Sequence, residues 1–180
     1  FKLAAKPLAA AFRMVDNKEI NSGATPNLIV VTAGLMRFVG NDDELAVILG
    51  HELAHITKGH HKNETGLNLQ AIISGMAAGI GRNKASTDSA DVLTQAVSSA
   101  LSAAYPGDLE QEADYAGLGY VDSAGYDINS GVKVWERLAE SKDKSRISGF
   151  LNTHHLDSER IDRVKRIAQE LAFRRGAELK

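Results

Sequence analysis

Apolar and polar positions change their spacing several times along this chain, and each change marks an element. Residues 1 to 13 place apolar side chains at helical intervals around Pro7 and predict an amphipathic helix. Residues 20 to 27 are rich in turn formers, and the β-branched run Leu28-Ile29-Val30-Val31-Thr32 after them predicts a strand. Gly34 to Val39 predicts a short helix or turn that ends at Gly40. From Asn41 the pattern turns apolar on nearly every side, through Leu45, Val47, Ile48, Leu49, Leu53 and Ile56, as a central buried helix requires. Glu44, three residues after Asn41, is placed to complete a capping box. Ala46, Gly50 and Ala54 recur every fourth residue as a stripe with almost no side-chain bulk. A second element is expected to come very close there.

Further on, residues 66–82 and 89–105 predict helices separated by the polar loop Arg82 to Asp88, and Pro106-Gly107 breaks the chain. A helix is expected from about Asp108 to Ala124, ended by Gly125. Another follows Asp127 to Asn129, running through Trp135 to about Ser141. A short segment, Ser148 to Asp157, leads to a terminal helix from Ser158. The pattern predicts an α+β class, mostly helical with a small β-sheet, and 180 residues suit one domain spanning 1–180.

Composition narrows the partners. With 43% hydrophobic and 24% charged residues the chain can build an ordinary core rather than stay disordered. A net charge of −2 gives no reason to expect nucleic acid or an anionic membrane. Arg160, Arg163, Lys165, Arg166, Arg174 and Arg175 alternate with Glu159, Asp162, Glu170 and apolar positions, which predicts the solvated face of the last helix. The absence of cysteine excludes disulfides, thiolate zinc sites and cysteine nucleophiles. No run of about 18 apolar residues exists to cross a membrane; the nearest, Leu67 to Ile80, is short and interrupted by Asn68, Gln70 and Ser74. The chain opens at Phe1 without a signal peptide, as a processed or excised domain would.

His51-Glu52-Leu53-Ala54-His55 carries the chemistry. Histidines four apart on a helix share a face and can offer ring nitrogens to one metal, with Glu52 flanking them as general base for a water. A catalytic zinc takes three protein ligands, so a third must come from elsewhere. His61 lies ten residues after His51, the offset of the third histidine in the metzincin motif, but the glycine by which that motif turns the chain back is displaced, with Lys58 in its place and Gly59 one residue late. His60 and His61 are therefore expected at the helix end, structural or exposed. Glu110 is the better candidate: Ala113 and Gly117 keep its side of the helix thin enough to meet the small stripe. Asp114, one turn on, is placed to accept a hydrogen bond from the distal nitrogen of a ligating histidine.

These two motifs together resemble the HtpX-type gluzincins, zinc metallopeptidases, and come closest in appearance to the soluble periplasmic BepA-like and LoiP-like branch. Asn21, Ala24 and Pro26 before Leu28-Ile29-Val30-Val31 resemble that family's approach to its substrate-binding edge strand. Thr153-His154, with Glu159-Arg160-Ile161 after it, resembles the family's THP…ER segment. His155 replaces the usual proline, and Asn27-Leu28 replaces a common glycine pair. The resemblance runs from about residue 16 to 167.

It implies a zincin-like domain whose edge strand, Leu28, Ile29, Val30 and Val31, borders the cleft and pairs with an extended substrate. It implies one zinc ion on His51, His55 and Glu110, and Glu52 as catalytic base. His154 would serve as an oxyanion donor or as a cover over the zinc, with Arg160 near the substrate. The setting implied is quality control of unfolded or flexible polypeptides in the bacterial periplasm or at the outer-membrane periphery, with peripheral membrane association and no nucleic acid. Two other classes compete. A protease-like fold with latent catalysis would act as a chaperone or regulatory binding module. A structural zinc or core-histidine protein would have a closed site or no metal.

Overall fold

The computed structural model describes residues 10–63, 97, 100, 101 and 104–178. Among them β1 (Ala11–Val15), β2 (Ser22–Thr25) and β3 (Leu28–Thr32) form one mixed sheet in the order β1-β3-β2. β1 runs parallel to β3 and β2 antiparallel to it. All five residues of β3 are buried, as a continuous apolar run demands when both faces are covered. Ile29 packs toward Ile56, Leu49 and Leu53 on one face. Leu28 and Val30 pack toward Val97, Ala100 and Leu101 on the other. A Cβ on Gly23 would stand 1.8 Å from the carbonyl oxygen of Ala100, so only glycine fits in β2 at that place.

Two expectations are corrected here. Residues 11–13 are strand, not helix: parallel pairing of Ala11 to Val15 with Leu28 to Thr32 supplies backbone partners that outweigh the local helical spacing. Leu28 to Val31 form a strand, but a central one. Both of its backbone edges are taken, by β1 and β2, so no substrate strand can add beside it. The edge strand on the α2 side is β2. The Thr32 amide donates to the Asn21 carbonyl (3.1 Å) and the Asn21 amide to Thr32 Oγ1 (3.1 Å); from that backbone bond, the alternation of the antiparallel ladder turns the backbone groups of Ser22 and Ala24 away from β3.

The helices follow with identifiable starts and stops. α1 (Ala33–Phe38) begins where Thr32 Oγ1 accepts from the Leu35 amide at 3.1 Å. α2 (Asp42–Lys58) carries His51-Glu52-Leu53-Ala54-His55. Asn41 Oδ1 accepts from the Glu44 amide (2.9 Å), and Glu44 reaches back to the Gly40 amide (2.7 Å), a capping box displaced by one residue. Gly59, at φ 69°, closes α2 in the left-handed conformation that glycine adopts without strain. A short 3-10 turn, His60–Asn63, comes next.

α3 (Gly107–Ser123) crosses α2 as the small stripe predicts. A Cβ on Gly117 would lie 2.8 Å from the Gly50 carbonyl and the His51 nitrogen, so the two backbones touch. α4 (Ile128–Gly131), α5 (Lys133–Glu140), α6 (Lys144–Thr153) and α7 (Ser158–Glu178) complete the order. They close a core of Val47, Ile48, Leu118, Trp135, Leu138 and Phe150 under the motif helix. Of the helices expected at 66–82 and 89–105, the first and the loop after it lie outside the described residues, and of the second only 97, 100 and 101 are seen as helix. No helix among the described residues is long and apolar enough to cross a membrane.

Candidate metal centre

α2 and α3 meet so closely that the first turn of α3 lies against the middle of α2, which brings Glu110 to the motif histidines. His51 Nε2 and His55 Nε2 face each other at 3.0 Å. Glu110 stands 3.4 Å from the first through Oε2 and 3.3 Å from the second through Oε1. A fourth donor comes from the end of α6: His154 Nδ1 lies 3.3 Å from both His51 Nε2 and Glu110 Oε1. All four side chains are buried, and their donor atoms lie within 4.8 Å of one another. Ligands bonded to zinc at about 2.0–2.1 Å and tetrahedral angles stand about 3.4 Å apart, so this spacing fits a single ion. Two imidazole lone pairs cannot face each other at 3.0 Å without a cation or proton between them. The donor set of imidazole and carboxylate suits zinc.

Behind His51, Nδ1 lies 3.0 Å from Asp114 Oδ1. Arg160 grips Asp114 with two hydrogen bonds of 2.8 Å and reaches Glu110 Oε2 at 2.5 Å. Its guanidinium lies over Trp135, 5.3 Å from the ring centroid, and Trp135 meets His51 edge-on at 5.7 Å. Arg160 is 4% exposed. The expectations of a solvated Arg160 and of a substrate-facing Arg160 are therefore both corrected. Two buried carboxylates need a cation close by, and the helix start that carries Arg160 points inward to supply it.

Glu52 is fully buried. Ser22 Oγ donates to its Oε1 at 2.7 Å, His154 Nε2 lies 3.3 Å from the same oxygen, and Oε2 has no hydrogen-bond partner among the described residues. Titration follows from these neighbours. Burial disfavours charge on every group, but Glu110 and Asp114 outweigh it at His51 and raise its pKa. At His55 burial prevails and pushes the pKa down to about 4. Burial also opposes charge on His154, yet Glu52 and Glu110 overcome it and push the pKa up to about 10. Against burial, His154 and then His51 draw Glu52 down to about 2, while His51 first among its neighbours holds Glu110 far below the carboxylate range.

His51, Glu52, His55, Glu110, Asp114 and His154 thus come together, whereas Leu28 to Val31 do not reach the cluster. Sequence reasoning missed Ser22 and Trp135, for which no local pattern signals a role. His60 and His61 stay outside the donor cluster, at the helix end as expected. His61 is buried, with Tyr105 Oη 2.5 Å from its Nδ1. Tyr105 also stacks on His55 at 3.9 Å between ring centroids.

A family model described as peptidase family M48 matches residues 2–168. The chain belongs to this family. The M48 chain is 30% identical over 155 residues to metalloprotease YcaL of Escherichia coli K12, covering 86% of this chain and 60% of that protein. It is 26% identical over 168 residues to the beta-barrel assembly-enhancing protease of Yersinia pestis, covering 89% and 35%. It is 27% identical over 155 residues to mitochondrial metalloendopeptidase OMA1 of Saccharomyces cerevisiae, covering 79% and 44%. It therefore spans between about a third and three fifths of these relatives. Family membership agrees with the HtpX-type resemblance carried by the two motifs.

Proposed function

We propose that residues 1–180 form one zinc metalloendopeptidase domain that hydrolyses internal peptide bonds of unfolded or flexible proteins. The observation that carries this reading is the convergence of His51, His55 and Glu110 beside a buried Glu52, one of whose oxygens has no hydrogen-bond partner among the described residues. His51, His55 and Glu110 would hold the ion. When bound, zinc supplies Lewis acidity, polarising the scissile carbonyl and acidifying a water. Glu52 takes the water's proton at Oε2 while Ser22 fixes Oε1, then delivers it to the leaving amine. Asp114, 3.0 Å from His51 Nδ1, would favour the Nδ1–H tautomer, and Arg160 holds Asp114.

The substrate would pair with the outward backbone groups of Ser22 and Ala24 on β2, directly beside Glu52. Main-chain recognition of that kind reads sequence weakly and suits unfolded chains. A bacterial envelope setting is supported by the likeness to the beta-barrel assembly-enhancing protease. On degradation of casein by zinc-loaded protein, Glu52→Gln is expected to lose about 10²–10⁴-fold in rate while keeping its zinc. Equal activity of the variant would remove Glu52 as base.

One observation favours a second reading, a latent form. His154 Nδ1 stands where a fourth donor would, and β2 is buried along its length, so the arrangement described is closed to substrate. His154→Ala is expected to raise peptidase activity if His154 covers the ion. A fall would mark it instead as the donor to the oxyanion. Inertness of both forms with zinc bound would leave a binding module.

A further inference from the structure

The distal nitrogen of His55 has a partner that the metal centre does not explain. His55 Nε2 faces His51 and Glu110, so a ring that gives its Nε2 lone pair to an ion carries its proton on Nδ1. That Nδ1–H meets Nδ1 of His60 at 2.9 Å. His60 can accept only as the Nε2–H tautomer, and its Nε2 faces Glu112 Oε2 at 3.4 Å. Lys58 Nζ holds the other oxygen of Glu112 at 3.0 Å. The His60 side chain is 3% exposed and that of Glu112 48% exposed, so the chain of donors runs from the metal centre to the surface.

Each link arises from a different element: His55 from α2, His60 from the 3-10 turn after Gly59, and Glu112 from α3. Glu112 faces away from the ligand Glu110 on α3, yet the turn of the chain at Gly59 brings His60 down to it. Tyr105 stacks on the face of the His55 ring and His60 meets its edge, so the Nδ1 hydrogen bond adds to the stacking in fixing the ring angle.

We propose that His60 and Glu112 are positioning residues that fix the tautomer and ring angle of His55 and so set the affinity for the metal. The proposal rests on the reading of His55 as a ligand. Its test is zinc affinity, measured by competition with a chromogenic chelator, together with nitrogen-15 imidazole spectra of the zinc-loaded protein. His60→Ala is expected to weaken zinc binding about 10–100-fold, the range for removing a group behind a ligating histidine. His60→Gln, whose side-chain oxygen can accept from His55 Nδ1–H, is expected to recover most of that loss. Glu112→Gln, at an exposed position, is expected to weaken binding severalfold and to move the His55 Nδ1–H resonance.

A parent protein that takes up no zinc would overturn the ligand reading, and this proposal with it. A zinc-binding parent with folded His60→Ala within about twofold of it would overturn this proposal alone. So would a His60→Gln variant no better than His60→Ala. If His60→Ala does not fold, Glu112→Gln decides: an unmoved His55 resonance and unchanged affinity overturn the relay.

Discussion

The two motif histidines present the same atom to the same centre, but what stands behind them differs. Behind His51 lie Asp114 and Arg160, with side chains 1% and 4% exposed. Behind His55 lies His60, and then Glu112 and Lys58, which are 48% and 39% exposed. The first arrangement is a buried ion-pair network, in which each charge depends on its partner because water cannot replace it. The second ends in solvent, where water and salt can stand in for either charge. One ring is therefore anchored by the fold itself, and the other by contacts that conditions can adjust.

The largest effect should come from breaking the buried side. Arg160→Leu leaves Asp114 and Glu110 uncompensated and is expected to cost about 3–5 kcal/mol in urea unfolding of the metal-stripped protein. A loss too small to measure would mean that this network does not hold α7 to α3. Next is Gly117→Ala, which places a Cβ 2.8 Å from the Gly50 carbonyl and the His51 nitrogen. Overpacking of this kind costs about 1–3 kcal/mol and should weaken zinc binding too, by moving Glu110 away from both histidines. If stability falls while zinc affinity holds, the ligands adjust independently of the helix contact.

Proton binding gives a third contrast. His154, raised from 6.5 to about 10, adds stability that is complete below pH 6.5 and lost as pH rises toward 10. His55, lowered from 6.5 to about 4, adds stability that is complete above pH 6.5 and lost as pH falls toward 4. Thermal melts of the metal-stripped protein should therefore peak near pH 6.5, and His154→Gln should flatten the alkaline side. An unchanged alkaline slope in that variant would show that other groups set it. The smallest effect belongs to the exposed side. The difference in zinc affinity between Glu112→Gln and the parent should shrink in about 1 M salt, where the Debye length is about 3 Å. The stability loss of Arg160→Leu should survive the same salt, because its partners are buried.

Much of the architecture is legible from periodicity, and its failures have local causes. Ala46, Gly50 and Ala54 announce a close helix contact because small side chains at one face are useful only when a backbone meets them. Glu110 and Asp114 follow from that contact, since α3 can bring only one face to α2. The run Leu28 to Thr32 announces a strand, but a continuous apolar run does not say which neighbours it pairs with. Its place at the sheet centre depends on β1, whose first three residues fall in the stretch that the helical spacing marks as helix. Arg160 was equally hidden. A basic residue in an alternating pattern looks solvated until α7 packs on α3 and turns that position toward two buried carboxylates.

By itself the sequence determined the chemistry on offer: two imidazoles on one helix face, a carboxylate between them, and an acidic pair on a second thin-faced helix. Helical spacing is local, so those relations hold wherever the helices go. Only the tertiary structure decided the sheet edge beside Glu52, the fourth donor at His154, and the partners behind each histidine. Those contacts join residues as far apart as Glu52 and His154, or His60 and Glu112, whose distance is set by packing rather than by any period along the chain.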